Sequence, residues 1–347
     1  MVEYKLHCFI NSSRNDSTES NKKRAFYEKK EKTKNENIKN IVNKTKLFIL
    51  IIFYVKLQIS ICENPIITLK IQKGDNSIIN KNFKNYISEV YINDANMTKI
   101  ETSYNFIEDE NTVKIILNSQ ITNCNKMFMD CKKILEINFS NFDASNITYL
   151  SETFKNCEKL ISLNLSDWDI SKVTQISSLF ENCKELTSIE LPDFTKSELN
   201  AINRVFSSCN KLESINLSRI NTSKVTNMEY LFNSCGQLAS LDLSNFDTSK
   251  VTNMAYLFSG CSKLTSLNLS NFETSKVTNM AYLFNSCGGL TFLDLFNFNT
   301  SNVTNMGNLF NGCGKLTSLD LSNFDTSKVT NIEFLFNGCG KLTSLDL

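Results

Sequence analysis

Residues 238–261 read LASLDLSNFDTSKVTNMAYLFSGC, and this stretch decides the fold. Leu238, Leu241 and Leu243 open it in the pattern L-x-x-L-x-L, with Leu241 and Leu243 two apart, so that both point one way from a short strand. Phe246 follows as an inward turn residue. Val251, Met254, Leu257 and Phe258 then fall at i, i+3, i+6 and i+7, the spacing of one face of a short helix or helical turn. Thr226 with Glu229, and Thr330 with Glu333, match the capping-box pattern and place that helix start at the threonine.

The stretch recurs. Cys131, Cys157, Cys183, Cys209, Cys235, Cys261, Cys287, Cys313 and Cys339 are each 26 residues apart, and a phenylalanine stands three residues ahead of every one of them. A period of 20–29 residues opening with L-x-x-L-x-L is the mark of a leucine-rich repeat. The expected fold is therefore an α/β repeat solenoid, with short parallel strands on the concave face and short helices or helical turns on the convex face. Repeated phenylalanine columns account for most of the 25 phenylalanines. The cysteines form a column of small buried hydrophobes with free thiols, because side chains on adjacent coils run side by side rather than facing each other. Metal binding needs converging ligands; the repeats hold no close Cys/His pairing, and the one histidine, His7, lies far upstream.

The unit resembles the BspA-like class of leucine-rich repeats, in the 26-residue variant once filed as a mycoplasma-type domain of unknown function. The likeness covers Cys131 to Leu347, with a half unit at 121–128 ahead of it, and holds motif by motif for VTNM at 225–228, 251–254, 277–280 and 303–306. It departs at 191–199, where LPDFTKSEL replaces the usual segment. The resemblance implies a surface or secreted protein of bacteria or protists, in a class tied to adhesion and to host or matrix contact. It supplies no catalytic residues.

Working outward, four segments are expected. Residues 1–46 carry twelve Lys/Arg and six Asp/Glu with no sustained apolar period, and read as a disordered basic head. The remainder keeps twenty-five Lys/Arg against thirty Asp/Glu, a net of −5 that offers nothing to nucleic acid. Residues 47–62 open with the apolar run LFILIIFYV behind Lys44 and Lys46 and read as a signal peptide or signal anchor, with a single span or a buried element as alternatives. Residues 63–120 hold short β-like runs and are expected to cap the first coil at the N-terminal end. Residues 121–347 are the repeat region, which stops inside a strand at Leu347 without a C-terminal cap and so invites end-to-end self-association.

No convergent cluster of titratable groups reads as an active site, so no enzyme and no cofactor is expected. The outward strand positions are small and polar except in one unit, where Phe292 and Phe296 flank Asp294. Aromatic anchors dominate interface energetics, which makes Phe292 and Phe296 the expected partner contacts, with the outward carboxylates Asp242, Asp294 and Asp320 beside them. The expected function is a non-enzymatic binding or adhesion protein, at the cell surface or secreted, contacting a protein or glycan of a host or matrix. An intracellular protein–protein interaction scaffold is the alternative.

Overall fold

The computed structural model describes residues 17–62 and 64–347, with side chains left aside at 17–23, 27, 35, 37 and 52–62. The chain divides into two compact units, Met1–Glu63 and Asn64–Leu347. In the first, α1 spans Ser17–Cys62. Residues 17–46 of the basic head, read from sequence as disordered, are thus helical. Their lysines and glutamates are good helix formers, and Arg24 pairs with Glu28 one turn on at 3.3 Å. Residues 1–16 of that head, with His7, lie outside the described residues, as do most side chains of the 47–62 run. Among the described residues no helix is long and apolar enough to cross a membrane.

The second unit is β-rich. Strands β1 (Ile66–Ser77), β2 (Ile87–Ile92), β3 (Ala95–Asn96), β4 (Ser103–Leu117), β5 (Ile134–Ser140), β6 (Ser162–Asn164) and β7 (Ser188–Glu190) form a seven-stranded mixed sheet in the order β3-β2-β4-β1-β5-β6-β7. Pairings β2–β3, β2–β4, β1–β4 and β1–β5 are antiparallel, while β5–β6 and β6–β7 are parallel. A second sheet pairs β8 (Ser318–Asp320) with β9 (Ser344–Asp346) in parallel. Ile67, Leu69 and Ile71 of β1 are fully buried beside Val113 and Ile115 of β4, as alternation along a one-sided sheet requires.

This architecture corrects the expected α/β leucine-rich-repeat solenoid. No helix forms between residues 121 and 347 among the described residues, and the L-x-L segments between β7 and β8 make no strand ladder. The reason is visible in where the backbone hydrogen bonds go. In the segment read as helical, the N–H groups of Met254, Tyr256, Phe258 and Gly260 donate to Asn279, Ala281, Leu283 and Asn285 of the next 26-residue unit. The intervening Leu257, Ser259 and Cys261 donate three residues back. An α-helix would send every N–H four residues back within the segment. The alternation needs a left-handed residue at a fixed place, and Tyr230, Tyr256 and Tyr282 take it with φ of 59°, 60° and 60°. Asn253, rather than the threonine before it, supplies the local acceptor: its Oδ1 takes the Ala255 N–H at 3.0 Å.

What joins successive units is thus a narrow ladder of parallel bridges, from Asn123–Tyr149 through to Asn305–Asn331. Beneath it, Phe128, Phe154, Phe180, Phe206, Phe232, Phe258, Phe284 and Phe310 are fully or almost fully buried. Their rings stack at centroid distances from 5.4 Å to 6.2 Å. Each cysteine from Cys157 onward donates its thiol hydrogen to the carbonyl of a phenylalanine 29 residues back; Cys261 does so to Phe232 at 3.2 Å. Burial pushes the Cys261 thiol up to about 12. The DTSK loop adds another tie: the buried Thr248 hydroxyl donates to the Glu273 carbonyl at 3.0 Å and accepts the Glu273 N–H at 2.8 Å.

Phe258→Ala is expected to cost about 3–5 kcal/mol, because it opens a cavity between two stacked rings. Urea unfolding should show this beside an exposed control, Phe296→Ala, which should shift stability by no more than about 0.5 kcal/mol. Equal effects would mean that the ring column does not hold the units.

A second expectation concerns acid. The hydroxyl and N–H of the serine two residues on hold the carboxyls of Asp143, Asp247 and Asp325 below their ordinary value, and the N–H and hydroxyl of Ser171 do the same for Asp169. A folded-state value below the unfolded one gives stability that is fully present above about pH 4 and lost as pH falls through the lowered values. The thermal midpoint should drop on acidification below that point, and less steeply when the four aspartates are changed to asparagine. A midpoint indifferent to acid would contradict this account.

Candidate interaction surface

Residues 290–298 read LTFLDLFNF, and the fold sorts them into two sets. Leu290, Leu293, Leu295 and Phe298 are buried, whereas Phe292 and Phe296 are 63% and 79% exposed. Serine stands at the position of Phe292 in the neighbouring units (Ser266, Ser318) and at that of Phe296 as well (Ser270, Ser322), so one unit alone carries this aromatic pair. Local geometry is set by Asp294, whose Oδ1 accepts the Phe296 N–H at 3.0 Å and turns the chain outward there. Asn323 of the next unit then donates its amide to the Phe296 carbonyl at 2.7 Å, which fixes the backbone beneath the exposed ring.

A shallow groove of about 440 Å³ results, lined by Phe292, Asp294, Phe296, Asp320, Asn323 and Asp346 among others. Four of the five residues singled out from sequence therefore meet: Phe292, Phe296, Asp294 and Asp320. Asp242 lies two units away, outside the lining. The Asp320 carboxyl is held below its ordinary value by the Ser322 hydroxyl and N–H, and that of Asp242 by the N–H and hydroxyl of Ser244. Both carboxylates are charged at neutral pH and are already engaged in shaping turns. The groove thus presents two apolar rings and an acidic edge, with no nucleophile–base pair. Among the described residues no group of three or more His, Cys, Asp or Glu is placed to hold a metal ion.

A second aromatic feature lies outside the residues expected from sequence. Tyr230, Tyr256 and Tyr282 recur at the 26-residue period and stack on one another. Its signal is the Y-L-F triplet at 230–232, 256–258 and 282–284, in which the tyrosine stands two residues ahead of the buried phenylalanine.

Three overlapping stretches, residues 95–215, 200–292 and 267–346, match the model of the family described as Mycoplasma protein of unknown function, DUF285. No curated protein and no solved structure matches the chain. The match replaces the resemblance to BspA-like leucine-rich repeats, whose L-x-x-L-x-L opening is shared but whose α/β architecture is not formed. With that resemblance go the leucine-rich-repeat, membrane, secreted and adhesion attributes that it implied, since the family carries no such description. By a match that runs from residue 95 to residue 346, well over half of its length, the chain belongs to this Mycoplasma family of unknown function.

Proposed function

We propose that the protein is a non-catalytic binding protein that captures a protein or glycan partner on the groove around Phe292 and Phe296. The observation that supports this reading is the exposure of two large aromatic side chains in one unit, at positions where its neighbours place serine. Aromatic side chains held in water are the usual anchors of an interface, gaining most from desolvation when a partner covers them. The acidic edge of Asp294 and Asp320 adds polar selectivity around them. A second reading, an interaction scaffold working inside the cell through the same groove, is favoured by the ten cysteines from Cys124 to Cys339, all of which are unpaired.

The double variant Phe292→Ser, Phe296→Ser restores the residue of the neighbouring units and should leave the thermal midpoint unchanged. Partners retained by the immobilised full chain should be lost from this variant and kept by Asp242→Ala, which lies outside the groove. Labelling of intact cells with a membrane-impermeant reagent then separates the two compartments. Identical retention by the wild-type chain and the double variant would end the proposal.

A further inference from the structure

Away from the groove, the left-handed position of three successive units carries tyrosine. The ring of Tyr230 lies 4.3 Å from that of Tyr256 at 8°, and Tyr256 lies 4.3 Å from Tyr282 at 7°. These contacts are closer than any in the buried phenylalanine column, where 5.4 Å is the shortest. All three tyrosines are half-buried rather than enclosed. The Arg204 guanidinium sits over the outer face of Tyr230 at 3.9 Å and closes that end of the stack. Burial, followed by the neighbouring Tyr230 and Tyr282 phenols, raises the Tyr256 phenol above its ordinary value, so that central ring is neutral at physiological pH.

We propose that Tyr230, Tyr256 and Tyr282 form an oxidative cross-linking site, at which a one-electron oxidant joins adjacent rings as dityrosine and ties successive units covalently. Each oxidised phenol gives up one electron and its hydroxyl proton, leaving a neutral phenoxyl radical with spin on the carbons beside the oxygen-bearing one. Two such radicals on neighbouring rings combine to form one carbon–carbon bond. The hydrogen on each bonded carbon moves to its phenolic oxygen and restores both aromatic rings. Two electrons and two protons leave in total, and one hydrogen peroxide takes them up to give two waters, with a haem peroxidase drawing the electrons one at a time. The parallel stack holds the partner ring in van der Waals contact, so coupling within the chain outruns the diffusive encounter of two chains.

The buried thiols do not provide this tie. Those from Cys157 to Cys313 are enclosed, and each donates its hydrogen to a phenylalanine carbonyl; none of the ten cysteines from Cys124 to Cys339 is paired.

The full chain, treated with hydrogen peroxide and a haem peroxidase, should give monomeric protein with dityrosine fluorescence. Peptide mass spectrometry should find a link two hydrogens lighter than the sum of its parts, joining Tyr256 to Tyr230 or to Tyr282. Tyr256→Phe keeps a ring in the stack but removes the one phenol adjacent to both others, and the intramolecular link should be lost. Tyr86→Phe, at a 40% exposed tyrosine outside the stack, should leave the yield unchanged. Circular dichroism of both variants establishes that they are folded. Links that map to Tyr86 or Tyr149, links only between chains, or a yield that survives Tyr256→Phe would each overturn the proposal.

Discussion

Between Met254 and Gly260 every second backbone N–H leaves its own unit and donates to the next, and the remainder of the repeat region follows from that division. Each such bond contributes about 0.5–1.5 kcal/mol net, and leaving the donor buried without a partner would cost more. A single inserted residue would reverse which N–H groups face the neighbouring unit. The strict 26-residue spacing of nine cysteines is the trace of this requirement in the sequence. The same division requires a left-handed residue in each unit, a position filled by side chains as different as Glu152, Arg204, Tyr256 and Asn308, with φ of 58°, 61°, 60° and 57°. Backbone register is therefore fixed, while the side chain at this point is free to vary.

The inward columns were legible because burial repeats with the period: Leu241, Leu243, Phe246, Val251, Met254, Phe258 and Cys261 are all enclosed. The secondary structure was not legible from the same residues. Spacings of three and four fit a helical face, and they fit equally well a turn whose alternate N–H groups point outward, because both bring the same side chains inward. Asn227, Asn253, Asn279, Asn305 and Asn331 each accept the N–H two residues on, a contact that opens a helix as readily as a turn and so does not separate the two. Asp242 and Asp294 act likewise at the end of the L-x-L segment, accepting from Ser244 and Phe296. A strand was expected in every unit, and only the short pairs β6–β7 and β8–β9 close a ladder among these segments after β5.

The candidate site was more legible than the fold around it. Phe292 and Phe296 stand out because the register gives each position eight or nine chances to be compared, and only one unit breaks the serine pattern at both. Asp242 was grouped with Asp294 and Asp320 because a column looks continuous in sequence, yet the groove is confined to the aromatic unit and the two units that follow it. Inward residues hold the stack, so the outward ones can change at little cost to stability. That is the arrangement on which a binding surface can diversify without disturbing its support.

Two kinds of oxidisable side chain occupy two different depths in these units. The thiols from Cys157 to Cys313 lie at the centre, where burial raises them and each hydrogen is already donated to a phenylalanine carbonyl, as Cys183 does to Phe154. Oxidising one would remove the donor of that hydrogen bond and force a larger, more polar group into a space enclosed on every side. Phenols lie at the half-buried left-handed position, where the unit spacing brings their rings together. A bond between neighbouring rings adds no polar group to the interior. Because it closes a loop of about one repeat, it restricts the unfolded chain as a disulfide of that span would, by roughly 3 kcal/mol in the chain-entropy model. The geometry thus places oxidation chemistry where it reinforces the register and shields from it the thiols on which the register depends.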